Sequence, residues 1–136
     1  LKVKLVLSLH APSQRVRKKI IPYARKYDIH DLLDAMKIFS ETSKRDVTYE
    51  YILIKGINDQ KEHAVELAEL LRGQQCSVNL IPYNPVEGLN LERPDRKQVF
   101  QFRDILTQKR IINTCRFTKG VDIAAACGQL ALQTKN

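Results

Sequence analysis

Two hydrophobic periods alternate along this chain, and the alternation narrows the fold more than any other feature. Leu1 to Leu9 reads LKVKLVLSL and puts Leu1, Val3, Leu5 and Leu7 on one side, the period-two pattern of a strand. In Asp31 to Ser43, Leu32, Leu33, Met36 and Phe39 recur at helical spacing. Val47 to Ile54 is rich in β-branched and aromatic residues and predicts a second strand. Lys55 to Asp59 (KGIND) is a turn, with Asp59 expected to cap the next helix and Glu62 to complete a capping box. That helix buries Ala64, Leu67, Ala68 and Leu71. Cys76 to Ile81 predicts a third strand, followed by a proline-containing loop from Pro82 to Pro94. Asp95 to Gln108 predicts a helix with Val99, Phe102, Ile105 and Leu106 inward, Ile111 to Phe117 a fourth strand, and Ala124 to Leu132 a short closing helix.

Crossovers of roughly 22 to 40 residues leave room for a helix between parallel strands. The expected class is therefore α/β, either an open parallel sheet or a partial (β/α) barrel with about four parallel strands and flanking helices. Roughly eight strands close a packed barrel. A chain with half that number keeps an exposed sheet edge, and a dimer formed through that edge is an expected consequence. Residues 1–136 read as one unit, and Leu1 already inside a strand pattern reads as a portion of something longer. No apolar run approaches the length of a membrane span, so no membrane association is expected.

Lys plus Arg number 23 against 15 for Asp plus Glu, a formal charge of +8 that favours a polyanionic partner. The surplus concentrates in Gln14 to Lys26 (QRVRKKIIPYARK), where Arg15, Arg17, Lys18, Lys19, Arg25 and Lys26 occur without one acid. Tyr23 and Tyr27 are interleaved and suit stacking on bases. The blander reading is a solvated helix face; six cations without a carboxylate tilt the balance toward contact with an RNA backbone. Cys76, Cys115 and Cys127 show no CxxC spacing, so no disulfide framework is expected and a reducing cytoplasm is the default compartment. Cys76 and Cys115 sit in apolar strand patterns and read as core. His30 and His63 have no partner at ligand spacing and take no metal role.

Ligands of parallel α/β folds bind beyond the carboxyl ends of the strands. The segments leaving those ends are Ser8-Leu9-His10, Lys55 to Asp59, Pro82-Tyr83-Asn84-Pro85, and Arg116 to Asp122 leading toward Cys127. One rim thus gathers a hydroxyl, an imidazole, a carboxamide, cations and a thiol. Taken singly, His10 reads as a structural hydrogen-bonding histidine, Asn84 as a turn residue and Cys127 as a small buried side chain.

Three segments together change that reading: Leu7 to Pro12 (LSLHAP), Asn79 to Val86 (NLIPYNPV) and Arg116 to Leu130 (RFTKGVDIAAACGQL). In order and spacing they resemble the radical-SAM ribosomal RNA adenine-C2 methyltransferases of the RlmN type and the related C8-methylating Cfr type. Val47 to Asp59 (VTYEYILIKGIND) is similar to the family's corresponding strand and turn. The resemblance implies that Ser8, Leu9, His10 and Asn84 bind S-adenosylmethionine (SAM), and that Cys127 is the residue that becomes S-methylated. It implies 23S ribosomal RNA as the partner, transfer RNA as a further one, and a 4Fe-4S cluster in the whole enzyme. Arg116 and Lys119 would hold a phosphate near the rim, and Gly128 would let the backbone turn closely beside the substrate. This sequence departs from the family pattern in lacking a CxxxCxxC segment, so it cannot ligate the cluster in the family manner and is expected to be inactive alone. Ala124 also stands where an acid is common.

Three alternatives stay open on the sequence: the C8-specific enzyme of the same family, a non-catalytic basic RNA-binding module, and a radical-SAM enzyme acting on protein or small molecules.

Overall fold

The structure, a computed structural model, describes residues 5–116. The expected closing helix at Ala124 to Leu132 lies outside the described residues, as do Lys119, Cys127 and Gly128. Four strands, β1 (Leu5–Ser8), β2 (Val47–Leu53), β3 (Cys76–Pro82) and β4 (Ile112–Cys115), alternate with helices α1 (Gln14–Ile20), α2 (Ile29–Ser43), α3 (Lys61–Leu70) and α4 (Arg96–Gln108). The strands form one sheet in the order β1-β2-β3-β4, and every pair is parallel. This is the α/β architecture that the alternating periods predict.

The period of two decides what each face of the sheet carries. Val47, Tyr49, Tyr51 and Leu53 of β2 share a core with Cys76, Val78 and Leu80 of β3. Leu33 and Met36 of α2, Leu67 of α3, and Val99, Phe102 and Leu106 of α4 pack into the same cluster, so these three helices cover one face. Tyr51 meets Phe102 with ring centroids 5.3 Å apart and a tilt of 45°, a favourable aromatic arrangement.

Alternate residues face the other way. Near the strand ends, Ile52, Ile54, Ile81 and Tyr83 pack with Val16 and Ile20 of α1. Lower down the register aligns Ser8 with Glu50, Glu50 with Asn79, and Asn79 with Thr114, a polar row across all four strands.

Two local expectations are corrected. The basic stretch forms α1 and a 3-10 turn at Pro22–Arg25, and Arg17 is buried within it at 6% exposure, so it is no part of a solvated cationic face. Helix α3 is capped by Gln60, not Asp59, and the His63 ring accepts the Gln60 N–H at 3.1 Å in the place expected for Glu62. Asp59 turns inward instead, its Oδ1 accepting from Gly56 N–H at 2.9 Å and from the Gln60 amide at 2.8 Å. Among the described residues no helix is long and apolar enough to cross a membrane.

Candidate functional site

Because all four strands are parallel, their carboxyl ends meet at one rim. The chain leaves β1 there through Ser8, Leu9 and His10. His10 has φ +58°, a left-handed conformation uncommon for a side-chain-bearing residue, and several bonds hold it. Leu9 N–H and His10 N–H both donate to the Glu50 carbonyl, at 2.9 and 3.3 Å. The His10 ring then supplies the next rung of the ladder, Nδ1 accepting Ile52 N–H at 3.0 Å. Burial first, and the Arg17 guanidinium second, lower the His10 pKa to about 3. The imidazole is therefore neutral near pH 7, with its acceptor nitrogen committed to the backbone and its proton on Nε2. It is a fixed part of the rim and not a base that shuttles protons there.

Arg17 locks the same segment from α1. Its Nε–H donates to the Leu9 carbonyl and a terminal N–H to the Ser8 carbonyl, both at 3.2 Å. The Leu9 side chain points into the helix-covered core at 0% exposure. What Leu9 can offer a ligand is backbone; the exposed Ser8 hydroxyl is the available side chain.

Asn58 is the rim residue that sequence reasoning missed. It is fully buried. Its amide donates to the carbonyls of His10 at 2.8 Å and Ile52 at 2.7 Å, and its Oδ1 accepts Ile54 N–H at 2.7 Å. Its own carbonyl accepts the Tyr51 hydroxyl at 2.6 Å. One carboxamide thus ties the end of β1 to the end of β2. The only hint in the sequence was an Asn in a KGIND turn, where the residue type suggests solvent contact.

Asn84 follows Tyr83, whose N–H donates to the Leu53 carbonyl at 2.9 Å. It is half-buried, and among the described residues no hydrogen bond engages its carboxamide. Arg116 N–H donates to the Leu80 carbonyl at 2.8 Å, and its exposed side chain leaves the rim beyond β4. The structure therefore brings Ser8, His10, Asn84 and Arg116 to one end of the sheet. Cys127 lies outside the described residues.

Neither described cysteine is poised as a nucleophile. Burial, with a smaller effect from Asp46, pushes the Cys76 thiol up to about 11, and burial also raises Cys115. Both therefore favour the unreactive protonated form. Among the described residues no group of three or more His, Cys, Asp or Glu is arranged to hold a metal ion. The donor set among the described residues does not fit a 4Fe-4S cluster. A concavity lined by Ala68, Glu69, Arg72 and Lys109 sits at the carboxyl ends of α3 and α4, away from the rim and its chemistry.

Comparison with known proteins agrees with this layout. The chain is 62% identical over 135 residues to a "Probable dual-specificity RNA methyltransferase RlmN 2" of Protochlamydia amoebophila, covering 99% of the chain and 38% of that protein. It is 45% identical over 133 residues to a protein of the RlmN name from Clostridioides difficile, covering 98% of the chain and 39% of the relative. A crystal structure of a radical SAM methyltransferase from Sphaerobacter thermophilus superposes with a TM-score of 0.87 at 45% identity, over 97% of this chain and 39% of that one. The resemblance to the RlmN type holds along essentially the whole chain. No family model matches. A domain of a pyruvate-formate lyase-activating enzyme from Bacteroides vulgatus shares the fold alone, with a TM-score of 0.66 at 19% identity over 83% of this chain and 66% of that one. The chain spans 38% of the Protochlamydia relative and 39% of the Clostridioides one, so most of each RlmN-type relative has no counterpart here.

Proposed function

We propose that this chain forms the C-terminal portion of a radical-SAM methyltransferase that methylates C2 of an adenine in 23S ribosomal RNA, and also acts on transfer RNA. In this reading Cys127 carries the methyl group as S-methylcysteine. The observation that carries the proposal is the 62% identity across 99% of the chain to a relative named for dual-specificity RNA methylation. The reading places the protein in the cytoplasm with its RNA, and the rest of the protein, not a second copy, completes the open sheet.

The rim residues suit SAM. An exposed hydroxyl at Ser8, a carboxamide free of protein partners among the described residues at Asn84, and the backbone turned at His10 match the amino, carboxylate and nucleoside groups of that molecule. Arg17, His10 and Asn58 fix that segment in advance, so that little ordering accompanies binding.

Adenine C2 is electron-poor and does not attack a sulfonium methyl. A thiolate does: the Cys127 sulfur–methyl bond forms in line as the methyl–sulfonium bond of SAM breaks, its electron pair staying on the departing neutral thioether. Moving that carbon onto the base needs radical chemistry from an iron–sulfur cluster. The chain's own cysteines do not supply that cluster's ligands, so this portion is inactive by itself.

The test uses the full-length protein that carries this chain, and mass spectrometry of nucleosides from treated RNA. Wild-type protein should give 2-methyladenosine, and Cys127→Ala should reduce methyl transfer by at least a thousandfold while leaving SAM affinity within a few-fold. Formation of 8-methyladenosine would reassign the position of attack. Loss of SAM binding in Cys127→Ala would move Cys127 from methyl carrier to cofactor contact.

A further inference from the structure

The +8 charge is unevenly placed, and one strip of it is joined mechanically to the rim. Of the six cations between Gln14 and Lys26, Arg17 is buried and holds the Ser8 and Leu9 carbonyls. The other five, Arg15, Lys18, Lys19, Arg25 and Lys26, are exposed. Among the described residues no ion pair neutralises any of them. Lys18 and Lys19 lie in the last turn of α1, where the helix dipole favours cations, but Arg15, Arg25 and Lys26 lie outside that turn, and a cluster of five exposed like charges is more than capping one short helix requires.

Two tyrosines share the strip. Tyr49, Tyr51 and Tyr83 are fully buried, whereas Tyr23 is 69% and Tyr27 53% exposed. An exposed ring beside unpaired cations is a stacking platform within an electropositive surface, the pairing that single-stranded nucleic acid binds. The strip is also rigid: Gln14 donates to the Ala24 carbonyl at 2.7 Å and accepts Ile29 N–H at 2.9 Å, clamping α1, the 3-10 turn and the start of α2 together. Val16 and Ile20 seat α1 on the carboxyl ends of β2 and β3.

We infer that the exposed face of α1 and the 3-10 turn is an RNA contact surface for unpaired nucleotides flanking the target base. On it Arg15, Lys18, Lys19, Arg25 and Lys26 take phosphates and Tyr23 and Tyr27 stack on bases. This rests on the RNA methyltransferase reading above. A base that must reach an enzyme's rim leaves its stack, and its neighbours then need a surface of this kind beside the rim. Arg17 makes the strip a continuation of the Ser8–His10 segment, so the bound strand and the candidate cofactor residues share one rigid frame.

The test measures binding of the full-length protein to a labelled RNA stem-loop with an unpaired adenine, and to a duplex control, between about 50 and 200 mM salt. Replacing Lys18 and Lys19 together by Gln should lower the slope of log affinity against log salt by about 0.7 to 0.9 for each cation. Tyr23→Ala with Tyr27→Ala should weaken stem-loop binding roughly tenfold or more and leave the duplex unaffected, with Phe at both positions restoring affinity. Lys44→Gln with Lys109→Gln, at the opposite end of the sheet, should change neither. Should the wild type bind and methylate RNA while the α1 variants keep its slope and affinity, the surface assignment is overturned and the methyltransferase reading stands. Should the wild type neither bind nor methylate RNA, that reading fails and takes the surface with it. Circular dichroism of each variant separates both outcomes from misfolding, and the lysine and tyrosine variants test the surface independently.

Discussion

The two faces of the sheet are built from alternate residues of the same four strands, yet they are different materials. Under the helices, Tyr49, Tyr51 and Leu53 of β2 meet Val78 and Leu80 of β3 in a continuous apolar core. On the opposite face the middle register is Ser8, Glu50, Asn79 and Thr114. Glu50 is the one residue of β2 that is half-buried where the others are buried. Among the described residues the side-chain hydrogen bonds at and beside this row are a 3.2 Å bond from the Thr114 hydroxyl to Asn79 and a 3.3 Å contact between Thr48 and Ser77, while nearer the strand ends Ile52 and Ile81 of the same face pack under α1. Parallel sheets are ordinarily apolar on both sides because both are covered. A polar row across a parallel sheet suits a surface that faces water or polar ligands, as the lumen side of a barrel does. The difference teaches that the larger core lies on the face covered by α2, α3 and α4, whereas the opposite face is apolar under α1 and polar along its middle row, where ligand chemistry is expected.

The largest expected effect tests the stabilising face. Phe102 is 1% exposed and packs at a tilt against Tyr51. Phe102→Ala should destabilise the chain by about 3 to 5 kcal/mol, read as a lowered urea midpoint by far-ultraviolet circular dichroism. A loss below about 1 kcal/mol would mean that the helices are loosely docked and that the contrast between the faces is overstated.

The rim lies where the two faces end, and its expected effect is intermediate and dependent on pH. With its pKa lowered from 6.5 to about 3, His10 takes up a proton on unfolding anywhere between those values. The unfolded chain then holds more protons than the folded one, so this contribution is complete above pH 6.5 and shrinks as pH falls toward 3. At about 1.4 kcal/mol per pH unit, roughly 2 to 3 kcal/mol should vanish between pH 6.5 and 4.5. His10→Asn keeps an acceptor for Ile52 N–H and tolerates the left-handed backbone. Its stability should be flatter over that range by about the same amount. An identical pH profile for variant and wild type would show that the ring titrates freely and does not form the ladder rung.

How much of this was readable follows from which residues have periodic neighbours. The helix-facing core repeats at 3.6 residues, so Leu67 and Phe102 could be placed from the sequence. The parallel order followed from crossover length, and the gathering of Ser8, His10, Asn84 and Arg116 at one rim followed from that order. Asn58 and Arg17 were illegible because their roles are long-range: Asn58 bonds to His10, 48 positions away, and Arg17 reads as one cation in a basic run until its guanidinium is found beneath the Ser8 and Leu9 carbonyls. The polar row could not be read either, since aligning Glu50 with Asn79 requires the strand register, which a hydrophobic pattern fixes only to the correct face.

The smallest expected effect sharpens the comparison most. Glu50 and Tyr51 are sequence neighbours on opposite faces of β2. Tyr51→Phe removes a 2.6 Å bond inside the core and leaves the Asn58 carbonyl without that donor, which should cost about 1 to 2 kcal/mol. Glu50→Gln keeps shape and polarity and removes only charge. Among the described residues the carboxylate has no hydrogen-bond or ion-pair partner to lose, so stability should shift by less than about 0.5 kcal/mol. Urea unfolding of the two variants beside wild type measures both. A Glu50→Gln loss equal to that of Tyr51→Phe would mean that the carboxylate is a structural group, and the polar face would then be part of the stabilising core. A neutral result leaves Glu50 as a charge that folding of this chain does not need, on the face where the rest of the protein and its ligands are expected.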